Sequence, residues 1–100
     1  YIDDLVRGIV SCCENEKSIN ETFNITFGNA RKVNDLIEIL KTEFKNIKVN
    51  YRPREKFMPE RGTLKTNKAK NKINFKAEYP IEAGYLRYIN WYKNFWANLT

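Results

Sequence analysis

The chain of 100 residues contains no histidine, only four glycines and three prolines, and two cysteines. The absence of histidine excludes an imidazole general base and any catalytic triad that depends on one. The glycines stand apart from one another, so the sequence has no glycine-rich phosphate-binding loop. No tyrosine is followed four residues later by a lysine, which excludes a Tyr/Lys proton-transfer pair at that spacing. We therefore assign no catalytic residue and expect that the chain by itself does not catalyse a reaction.

The few cysteines and the lack of long apolar runs exclude further classes. Cys12 and Cys13 are adjacent, a spacing at which an intrachain disulfide is geometrically poor. We expect both to be small buried apolar groups in a reducing compartment, which indicates a cytoplasmic protein. Two neighbouring cysteines without histidine do not supply a tetrahedral zinc site, so no metal is expected. No apolar run reaches membrane-spanning length, so no membrane partner is expected.

The net charge of +6 is concentrated in the second part of the chain. Residues 1–40 carry four basic and seven acidic side chains, whereas residues 41–100 carry fourteen basic and five acidic ones. Within residues 52–76 there are nine basic and two acidic side chains. This distribution favours a polyanion or a phosphorylated ligand as the partner.

The segment 52–64, which we call the arginine loop, is the most distinctive stretch. It holds Arg52, Arg54 and Arg61, together with two prolines that fix φ and remove backbone donors. The prolines exclude a central strand or an uninterrupted helix and predict an extended loop with outward-facing guanidinium groups. Guanidinium offers paired donors that match phosphate oxygens, so the three arginines are candidate ligands for a pyrophosphate. A solvated basic loop is the alternative interpretation of the same residues.

The periodicity of the apolar residues predicts an α/β fold in a single domain. Phe23, Ile25 and Phe27 alternate with polar residues, which indicates a half-buried strand over 21–27. A second alternation indicates another short strand over 47–51. Because a helix separates them, the two strands are expected to form a right-handed βαβ unit.

Helical spacing of apolar residues predicts about four helices around this unit. Asp3 or Asp4 is expected to cap the first helix, and Thr66 or Asn67 the short third one. The predicted helices run from residue 3 or 4 to about 14, over 35–45, over 68–73 and over 81–99. The last is the longest and is expected to be the main packing element. Four lysines in 65–72 are expected to form a solvated face.

Four stretches, taken in order, carry a family resemblance. They are 1–9 (YIDDLVRGI), 23–29 (FNITFGN), 58–59 with 67–70 (MP and NKAK), and 80–85 with 89–93 (PIEAGY and INWYK). The ordered set resembles the C-terminal part of the extended short-chain dehydrogenase/reductases, the NAD-dependent nucleotide-sugar epimerases and dehydratases. Lys56 and Phe57 depart from the Gly-Asp pair that the family has before the third stretch.

The resemblance implies that residues 1–100 are a single substrate-binding lobe of a larger enzyme. An N-terminal Rossmann domain would bind NAD(P) and carry the catalytic Tyr and Lys, so this chain would bind no cofactor itself. The lobe would hold the nucleoside-diphosphate part of the nucleotide-sugar substrate. By position, Arg54 best matches the family's pyrophosphate-binding arginine, with Arg61 as a second contact and Arg52 as a weaker one. The implied partners are the nucleotide sugar, the Rossmann domain and a second copy of the protein in a homodimer.

Two other classes of function fit parts of the sequence. A small basic nucleic-acid-binding domain would use residues 52–76 and would show a salt-dependent affinity for oligonucleotides. Nucleic acid ranks below the nucleotide sugar as a partner, because lysine clusters on helices are common on plain surfaces. A structural interaction module would instead form a stable dimer without any ligand.

Overall fold

A computed structural model describes residues 1–99, and within that range it contains four α-helices and one 3₁₀ turn. Helix α1 spans Ile2–Glu14, α2 spans Val33–Glu43, α3 spans Asn67–Ile73, α4 spans Ile81–Ala97, and the 3₁₀ turn spans Glu16–Ser18. The helices lie where the periodicity predicts them, with α2 shifted two residues towards the N-terminus and α4 ending two residues early. The 3₁₀ turn was not predicted.

The predicted α/β fold with its βαβ unit is wrong, because residues 1–99 contain helices and no strand. A strand needs a second backbone to complete its hydrogen-bond ladder, and the segments 21–27 and 47–51 do not provide one for each other. The alternation in 21–27 instead reflects the burial of side chains on one side of the segment. Phe23 and Ile25 are partly buried against the helical core, whereas Phe27 is 40% exposed. The alternation therefore identifies the side that meets the helices at Phe23 and Ile25 but not at Phe27.

The helix ends correct the capping prediction for α1, and for α3 they confirm the predicted cap position but not a side-chain hydrogen bond. Tyr1 is the N-cap of α1, and no side chain caps that helix. Thr66 is the N-cap of α3, also without a side-chain hydrogen bond. At the start of α2, the Asp35 carboxylate accepts a hydrogen bond from the Lys32 amide at 2.8 Å. Asn74 ends α3 in the left-handed conformation, with φ of 51°, as its tolerance of that region allows.

Packing is concentrated in two small regions. In the first, α3 and the segment that follows it lie against α1 and the segment 21–27, with a core of Ala69, Ile73, Phe75 and Ala77. In the second, α2 packs on α4, where Ile89 is buried. The Lys93 ammonium pairs there with the Glu43 carboxylate at 2.7 Å. The two regions meet at the N-terminus of α1.

The molecule is flat and open for its length. Its radius of gyration is 17.1 Å, with extents of 49, 41 and 18 Å, whereas about 13 Å is usual for a domain of 100 residues. Apolar side chains cover the outer face of α1 without being buried, among them Ile2, Val6 and Ile9. The chain therefore displays apolar surface of the kind that domains ordinarily cover.

Candidate functional site

The arginine loop is exposed along its whole length, as its prolines predict. Arg54 forms its main contacts within the loop: Nη2 donates to the Met58 carbonyl at 2.9 Å, and Nη1 lies 3.4 Å from Oε1 of Glu60. A turn in which the Met58 amide donates to the Glu55 carbonyl brings these groups together. Arg54 is thus held in a fixed direction by its own loop.

None of the three predicted phosphate ligands lines the cavities at the N-terminus of α1, between α1 and α4, between α2 and α4, or beside the start of α3. Arg52 and Arg61 are exposed, and neither they nor Arg54 line the main cleft. No described contact joins the three guanidinium groups to one another. The structure therefore presents them on one loop without assembling them around a cavity.

The main cleft lies elsewhere, at the N-terminus of α1. It has a volume of about 580 Å³ and is bounded by α1, by residues 25–31 and by residues 79–81. The rings of Tyr1 and Tyr79 lie 5.2 Å apart at its edge. Arg31 also lines the cleft. Its guanidinium pairs with Glu82 at 2.5 Å, and that hydrogen bond lowers the pKa of Glu82.

Asp4 is the buried charged group of this cleft, with 4% of its surface exposed. Its carboxylate accepts hydrogen bonds from the Glu78 amide at 2.9 Å and the Tyr79 amide at 2.8 Å, and Arg7 Nη2 lies 2.5 Å away. Burial acts to raise the pKa of Asp4, but the two amides and then Arg7 outweigh it, so the pKa lies below its usual value. Asp4 therefore joins the first turn of α1 to the residues that directly precede α4.

Sequence reasoning missed Asp4 and Arg31 as cleft residues. Asp4 was interpreted as a helix cap because it lies in the first turn, where acidic residues usually act locally. Its real partners are 74 and 75 positions away, and the Glu82 partner of Arg31 is 51 positions away. No local pattern signals contacts of that range.

The four lysines of 65–72 are all exposed, as the solvated-face prediction expects, but two of them also form ion pairs. Lys68 and Lys72 lie one turn apart on the helix, and both pair with the Glu21 carboxylate, Lys68 at 2.6 Å. The hydrogen bonds from Lys68 and then Lys72 lower the pKa of Glu21 to about 2. Because the two lysines share a single carboxylate, one positive charge of 52–76 is thereby offset within the molecule.

We expect the Glu21 side-chain carboxyl to titrate near pH 2 when its ¹³C chemical shift is followed by NMR. Because the folded pKa is depressed, the stabilisation from this cluster is present above about pH 4.5 and is lost as the pH falls towards 2. The double variant Lys68→Gln/Lys72→Gln should return the midpoint towards 4.5. A midpoint near 4.5 in the unmodified chain would contradict the pairing.

The cysteines correct another expectation. Cys12 is partly buried and packs against the core, whereas Cys13 is exposed, and neither forms a disulfide. Nowhere in residues 1–99 do three or more potential metal-ligating side chains come together. In the same range, no helix combines the length and the apolar character needed to cross a bilayer. The cytoplasmic location stays a prediction.

No family model, no curated protein and no solved structure matches the chain. The resemblance to the nucleotide-sugar epimerases and dehydratases therefore rests on the residues alone and stays a prediction.

Proposed function

We propose that the chain is the substrate-binding lobe of an NAD-dependent nucleotide-sugar epimerase or dehydratase. In this proposal Arg54 binds the diphosphate of the substrate, with Arg61 as a second contact and Arg52 as a weaker one. The lobe positions the sugar, and the nicotinamide cofactor belongs to a separate Rossmann domain. The observation that carries the proposal is that the stretches that resemble the family contact one another closely.

Three glycines of these stretches lie at contacts between distant parts of the chain. A Cβ at Gly8 would lie 2.5 Å from Ile25, one at Gly28 would lie 2.9 Å from Thr66, and one at Gly84 would lie 2.8 Å from Tyr1. Asp4, in the first stretch, binds the amides just before the last one. Residues of the first, second and last stretches thus take part in the same packing contacts, which supports treating them as parts of one lobe.

The open apolar surface also supports a lobe that another domain completes. The outer face of α1 exposes Ile2, Val6 and Ile9, and the arginine loop exposes Phe57 and Met58. Large apolar side chains exposed in groups usually mark an interface. A cofactor-binding domain that covers α1 and faces the arginine loop would form a cleft between the two parts, which is where ligands of such enzymes are expected to bind.

Arg54 is available to an anion at small energetic cost. Its pair with Glu60 is long at 3.4 Å, and the Glu60 side chain is almost fully exposed, so the interaction contributes at most about 1 kcal/mol. A diphosphate offers two oxygens to one guanidinium, which is a stronger arrangement. We therefore expect the substrate to replace Glu60 while the bond to the Met58 carbonyl still orients Arg54.

The test is a titration of the chain with UDP, GDP and TDP, followed by NMR. Arg54→Ala should weaken binding of the preferred diphosphate roughly tenfold or more, because a charge-assisted hydrogen bond contributes about 1.5–3 kcal/mol. Glu60→Gln, which removes the competing carboxylate, should strengthen binding a few-fold. The matched control is Arg87→Ala, since Arg87 lies over the Tyr79 ring and outside the loop. Absence of binding to all three diphosphates, or equal weakening by Arg54→Ala and Arg87→Ala, would contradict the proposal.

The alternative function is nucleic-acid binding, and the same series of titrations distinguishes it from diphosphate binding. Lys68, Lys72 and Arg54 all have carboxylate partners in the structure, which leaves fewer free charges in 52–76 than the sequence alone suggests. A strongly salt-dependent affinity for a mixed-sequence oligonucleotide, unaffected by UDP, would favour the nucleic-acid function.

A further inference from the structure

A second, smaller cavity lies between the segment 26–27, the start of α3 and residues 75–77. Its volume is about 200 Å³, and its polar lining comes from Thr26, Thr66, Asn67, Lys70 and Lys76. We propose that this cavity is a binding site for the phosphate group of a small phosphorylated molecule. The site is separate from the arginine loop and independent of the proposed function.

Contacts beside the cavity hold the segments 24–30 and 63–66 next to each other. The Asn24 side-chain amide donates to the Lys65 carbonyl at 3.1 Å, and the Ala30 amide donates to the Thr63 hydroxyl at 3.2 Å. Gly28 has φ of 80° and lies against Thr66 without room for a side chain. The cavity is therefore a feature of the fold and does not depend on one mobile side chain.

The distribution of lysines on α3 places an uncompensated charge at this cavity. Lys68 and Lys72 are one helical turn apart and share Glu21 on one side of the helix. Lys70 is about 200° around the helix from each of them, since successive residues are separated by about 100°, and it lines the cavity. Within residues 1–99, no ion pair involves Lys70 or Lys76.

The chemistry of the lining favours an oxyanion. No acidic residue lines the cavity, whereas two lysines, two threonines and an asparagine do. Phosphate at neutral pH is mainly a hydrogen-bond acceptor, so its oxygens are matched by ammonium and hydroxyl donors. A cavity that binds a cation would instead need oxygen ligands such as carboxylates.

The size of the cavity and its apolar wall limit the rest of the ligand. Pockets for drug-sized molecules are usually about 300–1,000 Å³, so about 200 Å³ is too small to enclose a whole nucleotide. The apolar lining of the cavity comes from Phe27, Phe75 and Ala77, of which Phe75 and Ala77 are buried. We therefore expect a phosphate that carries a compact, partly apolar body, and we use phenyl phosphate as its probe.

The test is an NMR titration of the 100-residue chain with inorganic phosphate, sulfate and phenyl phosphate at constant ionic strength. The largest amide shifts should occur at Thr26, Thr66 and Lys70. Lys70→Gln should raise the Kd for phosphate about tenfold, as expected for the loss of a charge-assisted contact. Lys68→Gln is the matched control, because it removes the same charge from the same helix outside the cavity and should change the Kd less than twofold.

The remaining outcomes decide the proposal. A preference for phenyl phosphate over sulfate supports a phosphoryl ligand with an apolar body. Equal effects of Lys70→Gln and Lys68→Gln, or shifts spread over all lysines, would show non-specific charge attraction and overturn the site. Lys76→Gln provides a second variant if Lys70→Gln does not fold. A negative result for phosphate at this cavity does not change the expected effect of Arg54→Ala on nucleoside-diphosphate binding. The two proposals can therefore be rejected independently.

Discussion

Replacing Asp4 with alanine is expected to lower the free energy of unfolding by about 3 kcal/mol. The carboxylate is buried and accepts hydrogen bonds from the Glu78 and Tyr79 amides. Its removal leaves two backbone donors without their partner, at about 1–3 kcal/mol for each buried unsatisfied group. It also removes a charge partner of Arg7, but Arg7 is 42% exposed and keeps Glu78, so that contribution is reduced by solvent.

Urea denaturation of the chain provides the measurement, and Asp3→Ala provides the control. Asp3 lies in the same helical turn but is exposed, so its replacement should change the free energy of unfolding by no more than about 0.5 kcal/mol. Equal effects of the two substitutions would show that Asp4 does not join α1 to the entry of α4.

The pH dependence of stability offers a second readout of the same residue. The pKa of Asp4 is lower in the folded chain than its usual value. The stabilisation is therefore present above the unfolded pKa, about 4, and is lost as the pH falls through the lower folded pKa. In Asp4→Asn this part of the acid-induced loss should disappear, and denaturation curves between pH 5 and pH 2 would show it.

The helices could be predicted from the sequence because their apolar spacing is a local property of each segment. Whether 21–27 becomes a strand depends on a second backbone beside it, which a single segment cannot reveal. The alternation of Phe23 and Ile25 gave the buried side correctly but not the neighbour, which is α3 and the segment that follows it instead of a strand.

In the candidate site, too, the contacts between residues close in sequence could be predicted, whereas those between distant residues could not. The two prolines of the arginine loop predict its exposure, and Glu60, six residues from Arg54, was a partner that the sequence could have suggested. Asp4 with Tyr79, by contrast, joins positions 75 residues apart. The sequence shows the basic charge of 52–76, but the net charge of this surface also depends on Glu21, which lies outside that segment.

Gly28→Ala is expected to lower the free energy of unfolding by about 2–3 kcal/mol. Two separate effects contribute. Gly28 has φ of 80°, where a Cβ costs roughly 1–2 kcal/mol. The new Cβ would also lie 2.9 Å from Cγ2 of Thr66, and such overpacking typically costs about 1 kcal/mol or more. Gly62→Ala is the control, because nothing lies within 4 Å of a Cβ there.

A double-mutant cycle with Thr66→Ser separates the two effects. Serine lacks the methyl group that Gly28→Ala would meet, so the steric part should be relieved in the double variant while the strain from the positive φ remains. We therefore expect Gly28→Ala to cost about 1 kcal/mol less in the Thr66→Ser background. If the cost is unchanged, the strain is entirely in the backbone. If Gly28→Ala costs no more than Gly62→Ala, the close contact between residues 28 and 66, and with it one wall of the small cavity, is not formed.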